Sequence, residues 1–261
     1  MFNLRFAKDY LLHRLKAKTR HGLHSPFVYR LVDTVIYDYR AKKVYAEIEN
    51  IREALLNDDR VIIVNDPGAG SRVINDRQRK ISAIAKNVLE PPKFAQLLYR
   101  LAADMQPDNI IELGTCLGIT TLYLQKAAPE ARVYTLEGSP EIAAIAKRDF
   151  AEAGLTNINL ILDNFDNALP EVINELKKID FVFVDGNHQK EATLKYFEWC
   201  LPKVHNDTLL IFDDIYWSEG MKEAWAEIKA HPQVTVTINL FWVGLVYFRK
   251  GQVKENFLIR V

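Results

Sequence analysis

Five acids stand where they could do chemistry, each within or at the end of a short apolar run: Glu112, Glu137, Asp163, Asp185 and Asp213. A carboxylate so placed can accept hydrogen bonds from sugar hydroxyls, balance a bound cation or give an oxygen to a hard metal ion. Asp214 directly follows Asp213, so Asp185, Asp213 and Asp214 present an oxygen set suited to Mg²⁺ or Ca²⁺. The adjacent pair could equally cap a helix starting near Glu219. His188, three positions after Asp185, is able to take a proton near neutral pH, or else to cap a helix starting near Gln189. Tyr216 and Trp217 offer rings that could wall an acceptor site or pack in the core.

Glu112 leads into Gly114-Thr115-Cys116-Leu117-Gly118 and then into a helix-forming run. A buried strand, a tight glycine turn and a helix N-terminus in that order are the first crossing of a nucleotide-binding α/β sheet. Glycines there tolerate positive φ and let the backbone approach a ligand. Glu137 lies 19 positions after Gly118, just before Gly138, where a carboxylate can bind both hydroxyls of a ribose. Asp163 and Asn164 could meet an adenine amino group or form an ordinary turn. A dinucleotide needs a further central glycine to seat its pyrophosphate, and Glu112 would repel that group. A cofactor with a cationic amino acid part suits Glu112 better.

The elements that must hold these residues are regular from residue 94 onward. Helical periodicity over 94–105, 119–128, 140–153, 167–177, 189–200 and 219–230 alternates with apolar runs at 109–114, 132–137, 158–163, 179–185 and 208–214. Five βα units with nearly continuous apolar strands predict a parallel sheet with helices on both faces. Ligands of such sheets sit beyond the carboxyl ends of the strands, so the acids are expected to converge on one crevice. Runs at 234–240 and 244–249 predict a closing hairpin that adds one antiparallel strand.

Residues 1–92 read as a mainly helical N-terminal cap or substrate region, with the boundary to 93–261 at Pro91-Pro92. The first thirty residues are locally basic, with Arg5, Lys8, Arg14, Lys16, Lys18, Arg20 and Arg30 against Asp9. Phe2, Phe6, Leu11, Leu12 and Leu15 are expected to share much of one helical face turned to the domain, leaving the basic side chains in solvent. Ser25-Pro26 reads as an N-cap and first helical position of a helix through about Tyr37. His21 and His24 before it could bind a metal or substrate, or brace a turn. A helix follows over 41–57, then an extended run at 61–64 entering Asp66-Pro67-Gly68-Ala69-Gly70-Ser71. Because residues 80–86 are helical rather than a second strand ending in an acid, that loop is expected to be a turn in the cap. Arg72, Arg77 and Arg79 beside it could reach an anionic substrate.

Composition narrows the classes further. The 261 residues hold 34 basic and 34 acidic side chains, which predicts no global attraction to nucleic acid or to an anionic membrane. No apolar run nears the roughly 18 residues of a membrane span, and no secretory signal is evident. Two cysteines, Cys116 and Cys200, suggest no disulfide framework, so a reducing cytoplasm is the expected location. A homodimer is compatible with this reading.

The run Glu112-Leu113-Gly114-Thr115-Cys116-Leu117-Gly118-Ile119-Thr120-Thr121, the strand-ending Glu137, Asp185 and the Asp213-Asp214 pair together resemble the class I S-adenosylmethionine-dependent methyltransferases. The likeness covers about residues 93–261 and is greatest to the catechol O-methyltransferase-like branch. It implies a Rossmann-like seven-stranded sheet in the order 3-2-1-4-5-7-6, with strand 7 antiparallel. It further implies S-adenosylmethionine against Gly114, Thr115 and Gly118, Glu137 on the ribose and Asp163 near the adenine. In that branch a divalent metal is commonly held by the acid after the fourth strand and an Asp-Asn pair after the fifth. Asp185 and Asp213 match, while Asp214 replaces the usual asparagine. His188 stands where catechol-type enzymes often carry a lysine base. The implied activity is O-methylation of a small-molecule acceptor by Asp185, His188 and Asp213. Methylation of another heteroatom or of RNA, an NAD-dependent oxidoreductase and a non-catalytic cofactor-binding protein are the alternatives.

Overall fold

The computed structural model describes residues 4–64 and 78–261, so the loop 66–71, Arg72 and Arg77 lie outside the described residues. In chain order come α1 (Leu4–Lys16), α2 (Pro26–Leu31), α3 (Lys43–Leu56), β1 (Val61–Ile63), β2 (Gln78–Lys80), α4 (Ile81–Val88) and α5 (Pro92–Met105). Next are β3 (Asn109–Leu113), α6 (Ile119–Ala127), β4 (Arg132–Glu137), α7 (Pro140–Glu152), β5 (Ile158–Leu162) and α8 (Phe165–Glu175). The chain closes with β6 (Phe181–Val184), α9 (Lys190–Cys200), β7 (Leu209–Phe212), α10 (Glu219–Ala230), β8 (Val236–Asn239), β9 (Gly244–Tyr247) and β10 (Glu255–Leu258).

These elements form two compact units, one of Met1–Tyr37 with Ile173–Val261 and an inner one of Asp38–Val172. Residues before and after Pro91-Pro92 pack together within the inner unit. In the inner unit, Tyr45, Ile48 and Leu55 of α3 share a core with Ile81 and Ile84 of α4 and with Leu122 and Tyr123 of α6. The Tyr123 hydroxyl donates to Glu49 at 2.9 Å, Arg52 donates to the same carboxylate at 2.8 Å, and its guanidinium also reaches the Glu90 carbonyl at 2.7 Å. Residues 38–92 are therefore bound into the unit that carries the glycine turn. The first 37 residues instead join the far end of the chain. Lys18 pairs with Ile259 as an isolated parallel bridge, and the Tyr37 hydroxyl donates to the Arg260 carbonyl.

In the inner unit β5, β4 and β3 lie side by side and parallel. In the other unit β6 and β7 are parallel, β9 is antiparallel to both β7 and β8, and β10 runs parallel to β8. These are the 3-2-1 and 4-5-7-6 parts of the expected order, with β9 as the antiparallel strand. β10 is an addition to the seven strands expected. α10 packs close against β9 because Gly244 has no side chain: a Cβ there would stand 2.5 Å from the buried Trp225 ring. β1 pairs antiparallel with β2, so the early extended run is a separate small ribbon, and Arg79 lies in it.

Two local expectations need refining. Ser25 does cap α2, accepting from the Val28 N–H at 3.4 Å, but the helix widens into a π-type turn over Val32–Ile36. In α1 the buried face is not the leucine face. Phe6, Tyr10 and His13 pack on Phe241 at ring separations of 5.0, 5.0 and 5.6 Å, and His13 also reaches the Ile259 carbonyl. Leu11, Leu12 and Leu15 face solvent. Aromatic rings on the hairpin tip give the helix a larger contact than leucines would, and the helix turns to meet them.

Candidate active site

In the inner unit the turn after β3 is held by its backbone. The N–H groups of Gly114 and Thr115 both donate to the Leu136 carbonyl, at 3.0 and 3.1 Å, which ties the turn to β4. Gly114 and Gly118 have φ of 100° and 83°, in the range that L side chains resist. A Cβ on Gly118 would also lie 2.6 Å from the Phe150 ring, so α7 packs against the turn only because that position is glycine. Gly118 is the N-cap of α6, and no side chain caps that helix.

Glu112 lies inside β3, wholly buried. One carboxyl oxygen, Oε2, accepts from the hydroxyls of Thr121 and Thr135, the latter at 2.6 Å. Thr135 in turn meets the Thr115 hydroxyl at 2.6 Å. The other oxygen, Oε1, is buried without a partner among the described residues. Burial pushes the Glu112 carboxyl up to about 7, against the opposing pull of the two threonine hydroxyls. A buried oxygen with no donor fits a cationic or N–H-bearing ligand group beside the turn.

Glu137, at the end of β4, is fastened to the same turn. Its Oε2 accepts from the Cys116 N–H and its Oε1 from the Ser139 N–H, both at 2.9 Å. A carboxylate at a strand end is the kind of group that accepts hydrogen bonds from ribose hydroxyls. Gly138 lies between Glu137 and Ser139, and Ser139 caps α7 by accepting from the Ile142 N–H. Glu112, Gly114, Thr115, Gly118, Glu137 and Gly138 thus make one neighbourhood. Asp163 and Asn164, past β5, are exposed and bond locally. Asp163 accepts from the Asn164 N–H at 2.6 Å and the Asn167 amide at 3.2 Å, while Asn164 accepts from the Asn167 N–H at 2.9 Å. Thr121, Thr135 and Ser139 were not singled out in the sequence. Thr121 is the one with a signal, since it begins the helix nine positions after the buried acid.

The other unit carries the second group of candidates. Asp185 follows β6 and Asp213 follows β7, and one carboxylate oxygen of each lies within 4.8 Å of the other. Such a pair of oxygen donors fits one hard divalent cation. His188 Nε2 stands 3.6 Å from Asp185 Oδ1 and 4.0 Å from Asp214 Oδ2. Burial lowers the His188 value below the ordinary one, while Asp214 pulls it up. The Asp214 carboxyl is raised by burial, with His188 opposing. The capping alternatives give way to other residues. Ser218 caps α10 by accepting from the Met221 N–H at 3.1 Å, and Gln189 rather than His188 occupies the N-cap of α9. Tyr216 stacks on Phe241 with centroids 4.8 Å apart and its hydroxyl accepts from Asn239, which is core packing. Trp217 is half exposed. His21 and His24 are exposed, His21 within the 3-10 turn Arg20–Gly22.

Comparison with known proteins bears on the whole. Residues 111–215 match the family model described as a methyltransferase domain. The chain is similar to the catechol O-methyltransferase of Niastella koreensis, 34% identical over 47% of this chain and 55% of that protein. It is also similar to the catechol O-methyltransferase of Mycobacterium tuberculosis, 24% identical over 62% of this chain and 71% of that protein. The first match thus spans about half of its relative's length. Among solved structures, the O-methyltransferase of Bacillus cereus in complex with SAH aligns with a TM-score of 0.56 at 20% identity, over 83% of this chain and 94% of that one. An SAH-bound methyltransferase of Podospora anserina aligns with a TM-score of 0.59 at 15% identity, over 88% and 98%. The architecture is therefore the Rossmann-like methyltransferase fold. The chain thus has a methyltransferase fold, matches a methyltransferase domain over residues 111–215 and is similar there to catechol O-methyltransferases.

Proposed function

We propose that this chain transfers the methyl group of S-adenosylmethionine to a hydroxyl oxygen of a small-molecule acceptor. The observation that carries the reading is the unpartnered, buried oxygen of Glu112 beside the glycine turn, which suits a cationic amino acid moiety and opposes a pyrophosphate. The cofactor, when bound, supplies an electrophilic methyl on a sulfonium, which an acceptor oxygen takes in line as the S–C electron pair returns to sulfur. Gly114, Thr115 and Gly118 would line the amino acid part, Glu137 the ribose, and Asp163 with Asn164 the adenine.

Asp185, His188, Asp213 and Asp214 would prepare the acceptor. A neutral His188 can remove the hydroxyl proton, because burial keeps it unprotonated near neutral pH. Asp185, Asp213 and Asp214 would hold a divalent cation that lowers the acceptor hydroxyl's pKa and fixes its orientation. Positioning then supplies much of the rate. Small-molecule acceptors rather than nucleic acid, and a cytoplasmic setting, belong to this same reading.

Four outcomes are expected. Isothermal titration calorimetry should show binding of S-adenosylmethionine and none of NAD, with Glu137→Ala at least about tenfold weaker, the scale of a charged hydrogen bond. Binding of NAD alone would remove the methyltransferase reading. Glu112 lies above its ordinary range in the folded chain, so ionising it near pH 7 costs stability, and a cation beside it offsets that cost. Cofactor affinity should therefore rise between about pH 5 and about pH 8, and the rise should vanish in Glu112→Gln. His188→Gln should lower kcat on the order of 100-fold while the cofactor Kd stays put. Excess EDTA should abolish turnover and added Mg²⁺ restore it; full activity in EDTA would exclude the metal.

A further inference from the structure

The outward face of α1 is the largest departure from the sequence expectation. Leu11, Leu12 and Leu15 are 62%, 40% and 79% exposed, and at helical spacing they form one stripe with Lys8 beside it and Lys16 at its edge. Tyr10 is 37% exposed and Trp242 50% exposed, with their rings 6.4 Å apart at the flank of the helix. The opposite side is already committed: Phe6 and His13 contact Phe241, Asp9 accepts from Lys222 at 2.9 Å, and Arg5 pairs with Glu219 at 3.0 Å. The leucines therefore cannot turn inward without breaking that packing.

Charge selects the occupant. Asp9 is the sole acid between residues 4 and 32, and it is spent on Lys222. Lys8, Lys16 and Lys18 make no ion pair among the described residues. A second copy docked through this face by a two-fold axis would set Lys8 and Lys16 against themselves with no acid to answer them. A nucleic acid would answer the lysines but not three exposed leucines. A negatively charged lipid surface answers both, with apolar side chains in the acyl boundary, lysines among the headgroups and Trp and Tyr at the interface between them.

We infer that α1 is an interfacial docking helix by which the folded protein rests on anionic lipid bilayers, reversibly and without crossing them. No described helix is long and apolar enough to cross, and α1 has only 13 residues. The chain's overall charge is zero, so attraction to an anionic surface has to be local, as this patch is.

Flotation of the full chain with phosphatidylcholine vesicles, with or without phosphatidylglycerol, tests this. Binding is expected only when phosphatidylglycerol is present, and it should fall as salt is raised. Leu11→Ser with Leu15→Ser should weaken it at least about tenfold, since apolar insertion is lost, with an unchanged melting temperature because both sites face solvent. Lys8→Glu with Lys16→Glu should remove the preference for the anionic lipid. Absence of binding, or binding indifferent to the leucine changes, would overturn the inference. So would dimerisation, or retardation on RNA, that the same leucine changes abolish, since either assigns the face to another occupant.

Discussion

One carboxyl group inside β3 sets the terms for the glycine turn. Burying Glu112 removes it from water, and the structure returns only part of what is lost: two threonine hydroxyls serve one oxygen, while nothing among the described residues serves the other. A group so placed is costly in a resting fold, and a cationic ligand would relieve it. Thr135 from β4 and Thr121 from α6 are what hold the carboxyl at a fixed angle. The strand, the turn and the helix thus share one hydrogen-bonded centre, and Glu137 fastens the outer side of the turn through the Cys116 N–H.

Backbone conformation points to the same loops. Among the described residues, five other than glycine have positive φ, and three of them are Cys116, Asn187 and Asp214. Cys116 lies in the glycine turn, Asn187 between Asp185 and His188, and Asp214 directly after Asp213. Left-handed geometry costs free energy at such residues and persists where neighbouring contacts impose it. Asn187 is held by the hydrogen bond that its side-chain amide donates to the Tyr196 hydroxyl at 3.1 Å, and Asp214 by the Trp217 N–H donating to its carbonyl at 2.9 Å. Both loops that could do chemistry are stiffened away from relaxed backbone.

The strands and their terminal acids were legible because a parallel strand buried on both faces must be apolar along its length, so an acid at its tip stands out. The hairpin was legible from two apolar runs a few residues apart. β10 was not: Glu255-Asn256-Phe257-Leu258 has two polar residues exposed to solvent and gains its place by pairing with β8, which no local pattern records. The orientation of α1 was hidden for a related reason. Its leucines look like a core face until the rings of Phe241 and Trp242, more than two hundred positions away, are known to be waiting. The packing of residues 38–92 left no pattern either, because the bonds of Tyr123 to Glu49 and of Arg52 to the Glu90 carbonyl carry no periodicity. Thr135 was invisible as a partner of Glu112, since threonine in a strand is ordinary.

The order of β9 bears on how the chain reaches this state. β9 lies between β7 and β8, so β8 is synthesised before the strand that must separate it from β7. α1 waits longer still, for it leans on the tip of that hairpin and on Ile259. During synthesis α1 would leave the ribosome with both its faces uncovered and remain so until Phe241 and Ile259 had emerged behind it, the kind of delay that invites chaperones.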